Sequence, residues 1–128
     1  LSLADGVELR PVSGFEDAPV SSLTGVALAT VHMQPGSSVS LPAPAGRNIL
    51  FYTVQGSVRI GNDSVPEHCL ARFDDGDEIE VTAPDGALIL FGHADPIGEP
   101  VVAHGPFVMN SQEEIRDAFE AYRRGEFA

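Results

Sequence analysis

Seven short runs of Val, Ile, Leu and aromatic residues follow one another through the first 92 residues, most of them closed by residues that favour turns. They are VELRPV (7–12), VALATVHM (26–33), ILFYTV (49–54), SVRI (57–60), HCLARF (68–73), EIEVTA (78–83) and ALILFG (87–92), with QPGSS, QGS, GNDS, DDGD and APDG among the punctuation. Several alternate apolar with polar positions, the period of a strand with one buried face. Runs spaced by about 8–12 residues predict an antiparallel sandwich or barrel. The last stretch changes period. In NSQEEIRDAFEAYRRGEF (110–127) the apolar Ile115, Ala118, Phe119 and Tyr122 fall at i, i+3, i+4 and i+7, one face of a helix. Ser111 with Glu114 reads as a capping box, acidic residues fill the first turns, Arg123 and Arg124 the last, and Gly125 supplies a stop. No internal repeat or low-complexity tract is visible.

A chain of 128 residues is the size of one ordinary domain, with enough buried surface for a single core. Seven Arg, no Lys and 19 acidic residues give a net charge of −12. Such a surface repels phosphate backbones and anionic head groups, so neither nucleic acid nor membrane is expected as a partner. The Lys-free composition fits a GC-rich genome or a salt-adapted surface equally well. One cysteine, Cys69, cannot close an internal disulfide, and a lone thiol fits a reducing compartment. Within HCLARF it reads as a small buried hydrophobe rather than a reactive thiol. No apolar run approaches the ~20 residues of a membrane-spanning helix, and no basic-then-apolar leader opens the chain. A cytoplasmic location is expected. A start at Leu1, without Met, is expected of a piece of something longer.

The stretch GSSVSLPAPAGRNILFYTVQG (36–56) has the spacing of a metal-binding β-barrel motif. A glycine, five residues, two side chains one position apart, a further position five on and a closing glycine would suit His, His and Glu around one metal. Pro42, Pro44 and Ile49 stand there instead. A first-row metal needs N, O or S donors, and these three have none to give.

Other chemistry is weaker. His32, His68, His93 and His104 are far apart and lack the short spacings of paired metal ligands. A Ser-His-Asp set can be drawn from many serines, a freedom that makes it worthless without geometry. GNDSV (61–65) reads as a turn, and DDGDEIE (74–80) as a solvated hairpin of acids without the donor pattern of a calcium loop. No glycine loop of phosphate-cradling type is present.

FGHADPIGEPVVAHGPFVMNSQEEIRDAFEAYRRGEF (91–127) resembles the C-terminal signature of the pirin family, bicupins built of two β-barrels face to face. Its core, GEPVVAHGPFVMN followed by EEIRDAF, is long and odd in composition. DGVELRPVSG (5–14) and MQPGSSVSLPAPAGRNILFYTVQGSV (33–58) resemble the approach to the second barrel and its first cupin motif. The resemblance spans nearly the whole chain but only the C-terminal half of a typical pirin. It implies an all-β cupin barrel, a double-stranded β-helix of jelly-roll type, with one C-terminal helix. The expected divisions are a lead-in strand or linker at 1–14, the barrel at 15–109, and the helix and tail at 110–128. In the ligand-bearing cupin pattern the second motif places another His where Ile89 stands, so Pro42, Pro44, Ile49 and Ile89 are the four degenerate positions. No cofactor is expected in this chain, and iron only in an N-terminal cupin. Some relatives oxidise flavonols such as quercetin, and others act through protein partners in regulation.

His104, Gly105, Pro106, Phe107, Met109 and Asn110 remain. They read either as a contact surface for an N-terminal pirin half, a second copy or a regulatory partner, or as a tight turn with an apolar tether leading into the helix. The expected protein is a metal-free structural or partner-binding half without catalytic residues of its own. A flavonol dioxygenase with its metal in another barrel, and a small-ligand carrier, are the alternatives. Phe107 and Met109 are the expected dimer contacts, and Phe119 and Tyr122 are expected to hold the helix to the barrel.

Overall fold

The computed structural model describes residues 1–74 and 76–127, which form two compact units, Leu1–Pro96 and one beginning at Ile97. The first is a sandwich of two antiparallel sheets. The larger has the order β1 (Ser2–Ala4), β2 (Val7–Ser13), β3 (Ala27–Met33), β9 (Ala87–Ala94), β5 (Asn48–Gly56). The smaller runs β4 (Ser37–Pro42), β8 (Glu78–Ala83), β6 (Val58–Ile60), β7 (Asp63–Val65). Strict alternation sorts the side chains. β3 buries Ala27, Ala29, Val31 and Met33, β8 buries Ile79, Val81 and Ala83, and the opposite positions face away. Leu9, Val31, Leu41, Phe51, Val58, Val81, Ile89 and Phe91 lie at the centre with essentially no exposure. This is the expected cupin-type barrel, closed by side chains from both inner faces.

One expected strand does not form, and strands arise where none was expected. HCLARF is not a strand. Its backbone touches β5 through an isolated bridge, Tyr52 with Leu70, and through Thr53 N–H to the Cys69 carbonyl, His68 N–H to the Thr53 carbonyl and Ala71 N–H to the Phe51 carbonyl. His68 sits at φ +65°, a left-handed backbone that breaks an extended run. GNDSV includes strand β7, and SSVSLP forms β4, with Ser37, Val39 and Leu41 pointing inward. The acid stretch 74–80 contributes Glu78–Glu80 to β8; Asp75, the middle of the expected hairpin, lies outside the described residues.

The second unit holds a hairpin, β10 (Val102–His104) and β11 (Phe107–Met109), followed by α1 (Gln112–Arg123). Gly105 at φ +58° before Pro106 gives a two-residue turn with the φ signs of a type II′ hairpin. Ser111 caps α1, its Oγ accepting from Glu114 N–H at 3.2 Å and donating to Glu114 Oε1 at 3.0 Å. At the other end Gly125, at φ +78°, turns the chain so that Glu126 N–H reaches the Ala121 carbonyl and Gly125 N–H that of Tyr122, a Schellman closure. The sequence expectation drew the boundary after Met109. The chain divides into its compact units between Pro96 and Ile97, and within the second unit β10 pairs with β11.

Candidate functional site

The barrel mouth is where the spacing of the glycine frame would put a metal. β4 alternates Ser37, Val39 and Leu41 inward, and Ala43 continues the series, so Pro42 and Pro44 face outward. Of the four degenerate positions, these two do not point into the barrel. Pro42 ends an edge strand opposite Glu78, a place where a residue without N–H costs no ladder bond. Ile49 is half-buried against the core and Ile89 is fully buried. Neither the prolines nor the isoleucines offer a donor, and the inward neighbours Leu41 and Ala43 add only hydrocarbon. These residues do not fit a transition metal. Among the described residues no three His, Cys, Asp or Glu side chains gather closely enough to hold one.

Above this apolar floor lies an open cleft of about 480 Å³, lined by Ala43, Arg47, Ile49, Phe73, Glu78 and Ile79 among others. Phe73 stands edge-on to the buried Phe51, ring centres 5.7 Å apart, and so extends the core to the cleft. One side of the rim is fastened by Arg47. Its Nε donates to His93 Nδ1 at 2.9 Å, its Nη2 to the carbonyls of Gly25 at 2.7 Å and His93 at 3.1 Å, and its Nη1 lies 3.1 Å from Asp95 Oδ1. Burial, then the Arg47 charge, lowers the pKa of His93 below its ordinary value, against a smaller opposing pull from Asp95. Phe15 and Phe91 both stand edge-on to the imidazole, ring centres 6.0 Å away.

Inside the barrel one polar atom is stranded. Thr53 Oγ1 is buried and has no hydrogen-bond partner among the described residues. Outside, Tyr52 Oη lies 3.2 Å from His68 Nδ1, and His68 Nε2 lies 3.7 Å from Glu67 Oε2, in an exposed arrangement. Cys69 is half-buried against the core rather than enclosed by it.

In the second unit the expected contact residues form one local structure. Phe107 and His104 both pack edge-on against Phe119, at 5.0 and 5.4 Å, and Phe107 also meets Phe127 at 5.8 Å. Met109 is half-buried opposite Val102, Gly105 and Pro106 make the turn, and Asn110 donates from Nδ2 to the Pro100 carbonyl at 2.8 Å. Phe119 thus holds the helix to the hairpin, while Tyr122 is exposed and tilts toward Phe127. The apolar residues left to solvent are Ile97, Val101, Val108, Tyr122 and Phe127, each more than half exposed. Sequence reasoning missed Val108. Its signal was available in the two-residue turn, which fixes the alternation and sends Val108 away from the face of Phe107 and Met109.

The profile of the pirin C-terminal cupin domain matches residues 28–128. Human pirin is 34% identical over 130 residues, covering 93% of this chain and 44% of that protein. A Vibrio cholerae protein bearing a provisional quercetin 2,3-dioxygenase name is 38% identical over 129 residues, 93% of this chain and 45% of its own length. The crystal structure of a quercetin 2,3-dioxygenase from Acinetobacter baumannii superposes with a TM-score of 0.88 at 24% identity, over all of this chain and 46% of that one. The chain spans about half the length of the curated relatives it matches.

Proposed function

Because the chain belongs to the pirin family, as its C-terminal cupin domain, we propose that it acts as the metal-free structural and partner-binding half of a two-barrel protein. The observation that carries this reading is the donorless frame at the barrel mouth: Pro42 and Pro44 turned outward, Ile49 and Ile89 offering only hydrocarbon. Chemistry that needs a metal would then belong to a barrel outside this chain. The partner-binding part is supported by the exposed apolar side chains Ile97, Val101, Val108, Tyr122 and Phe127 of the second unit. The partner is an N-terminal pirin half or a second copy of this chain.

A second reading makes the same half part of a flavonol dioxygenase, and the quercetin dioxygenase names of the relatives favour it. The two readings share one experiment. Tag-free protein is assayed for iron, nickel, copper and zinc by elemental analysis, and for quercetin turnover in air with iron added. The structural reading predicts neither stoichiometric metal nor turnover above that of free iron. Turnover that appears only when an N-terminal pirin half is supplied selects the dioxygenase reading. One tightly held metal per chain, bound in the interior, overturns both.

A further inference from the structure

We infer that Arg47 and His93 form a proton-sensitive clasp that keeps one rim of the barrel mouth closed at neutral pH and releases it on acidification. The geometry fixes the protonation state. A guanidinium only donates, so the 2.9 Å contact from Arg47 Nε requires a lone pair on His93 Nδ1 and places the imidazole proton on Nε2. A proton added to His93 goes to Nδ1. It removes the acceptor and turns the contact into two N–H groups, both charged, facing each other.

The contact joins three segments far apart in sequence. The rim loop 43–48 is tied through Arg47, the end of β9 through the His93 ring and carbonyl, and the approach to β3 through the Gly25 carbonyl. The groups facing His93 are few. Arg47 comes from the rim, Asp95 from beyond β9, Phe15 from the β2–β3 connection and Phe91 from β9 itself, with the cross-strand neighbours Ala27 and Ile49 apolar. Asp95 lies 3.1 Å from Arg47 Nη1 and is largely exposed, so it offsets only part of the new repulsion. Burial and the Arg47 charge already push His93 below the ordinary histidine range, which sets the release on the acid side of about pH 6.5. The segment set free, Ala43 to Asn48, lines the 480 Å³ cleft, so protonation widens access to that cleft while leaving the barrel core untouched.

Hydrogen–deuterium exchange between pH 7.5 and 5, expressed as protection factors, read together with ¹⁵N NMR of the His93 ring, tests this on the full chain. The expected result is the Nε2–H tautomer at pH 7.5, with protection of the Arg47 and Val26 amides, bonded to the Pro44 carbonyl and Ser22 Oγ, falling at least tenfold at the midpoint of His93's own titration. His93→Gln supplies a carbonyl acceptor that does not titrate, and is expected to keep both amides protected down to pH 5. An Nδ1–H tautomer, protection that stays level while His93 titrates, or a pH response that persists in His93→Gln overturns the clasp. Should His93→Gln fail to fold, the parent's tautomer and the match or mismatch of the two titrations decide alone.

Discussion

Phe107 meets Phe119 edge to face, with ring centres 5.0 Å apart and planes at 78°. The pair is the hinge of the hairpin–helix unit, joining β11 to α1 from within. Phe107 thus packs within its own unit, and on the other side of the hairpin, the face proposed for a partner, Val108 is 65% exposed.

Two substitutions separate those roles. Phe107→Asp puts a charge into an aromatic contact and is expected to cost ~2 kcal/mol, lowering the helical signal of α1. Val108→Asp is expected to leave helicity and melting within about 0.5 kcal/mol of the parent while weakening self-association or binding of an N-terminal half. Circular dichroism with sedimentation reads both. A Val108→Asp protein that associates like the parent removes this face from consideration.

Thr53 carries the stranded hydroxyl in the core. Replacing it with Val keeps the shape and deletes the unpartnered donor and acceptor, so Thr53→Val is expected to stabilise the barrel by about 1 kcal/mol. Urea unfolding at constant m-value measures it. A loss of stability would show that the hydroxyl has a partner in solution.

The two glycines of the frame should respond differently. Gly56 and Gly36 both hold positive φ, at +77° and +80°. A Cβ at Gly56 would run into the Gly86 carbonyl, whereas one at Gly36 meets open space. Gly36→Ala is expected to cost only the left-handed strain of roughly 1 kcal/mol, and Gly56→Ala at least twice that. Equal losses in thermal unfolding would contradict the packing at the β5–β9 margin.

Proton linkage gives a further test. The native His93 pKa is lowered, so the unfolded chain binds the extra proton first as pH falls. The contribution of neutral His93 is complete above about pH 6.5, declines as pH drops toward the native value, and is gone below it. The stability difference between the parent and His93→Gln should shrink by acidification through that window. A difference that is flat or grows toward acid refutes the direction.

The aliphatic and aromatic strands were legible because their side chains alternate between core and solvent. β4 and β7 were missed as strands because Ser and Asp dominate them, and what recruits them is the ladder with β8 and β6 rather than their own propensity. HCLARF misled for the opposite reason, since its composition is strand-like but His68 takes a left-handed backbone that no hydrophobicity count registers. At the site, the glycine frame and its missing donors could be read directly. The facing of Pro42 and Pro44 could not, because spacing leaves the register free by one residue and one residue inverts every side chain. The Arg47–His93 contact spans 46 positions and exists only through the β5–β9 pairing.

That pairing also governs the order in which the protein can be made. β9 lies between β3 and β5 in the larger sheet, and without it the two never touch. Until residues 87–94 leave the ribosome, β5 lacks its neighbour in that sheet and β3 has one unpaired edge. Closure waits for the strand that begins at Ala87, about 60 positions after its partner β3, a long-range pairing of the kind that slows folding and leaves strand edges open until it forms.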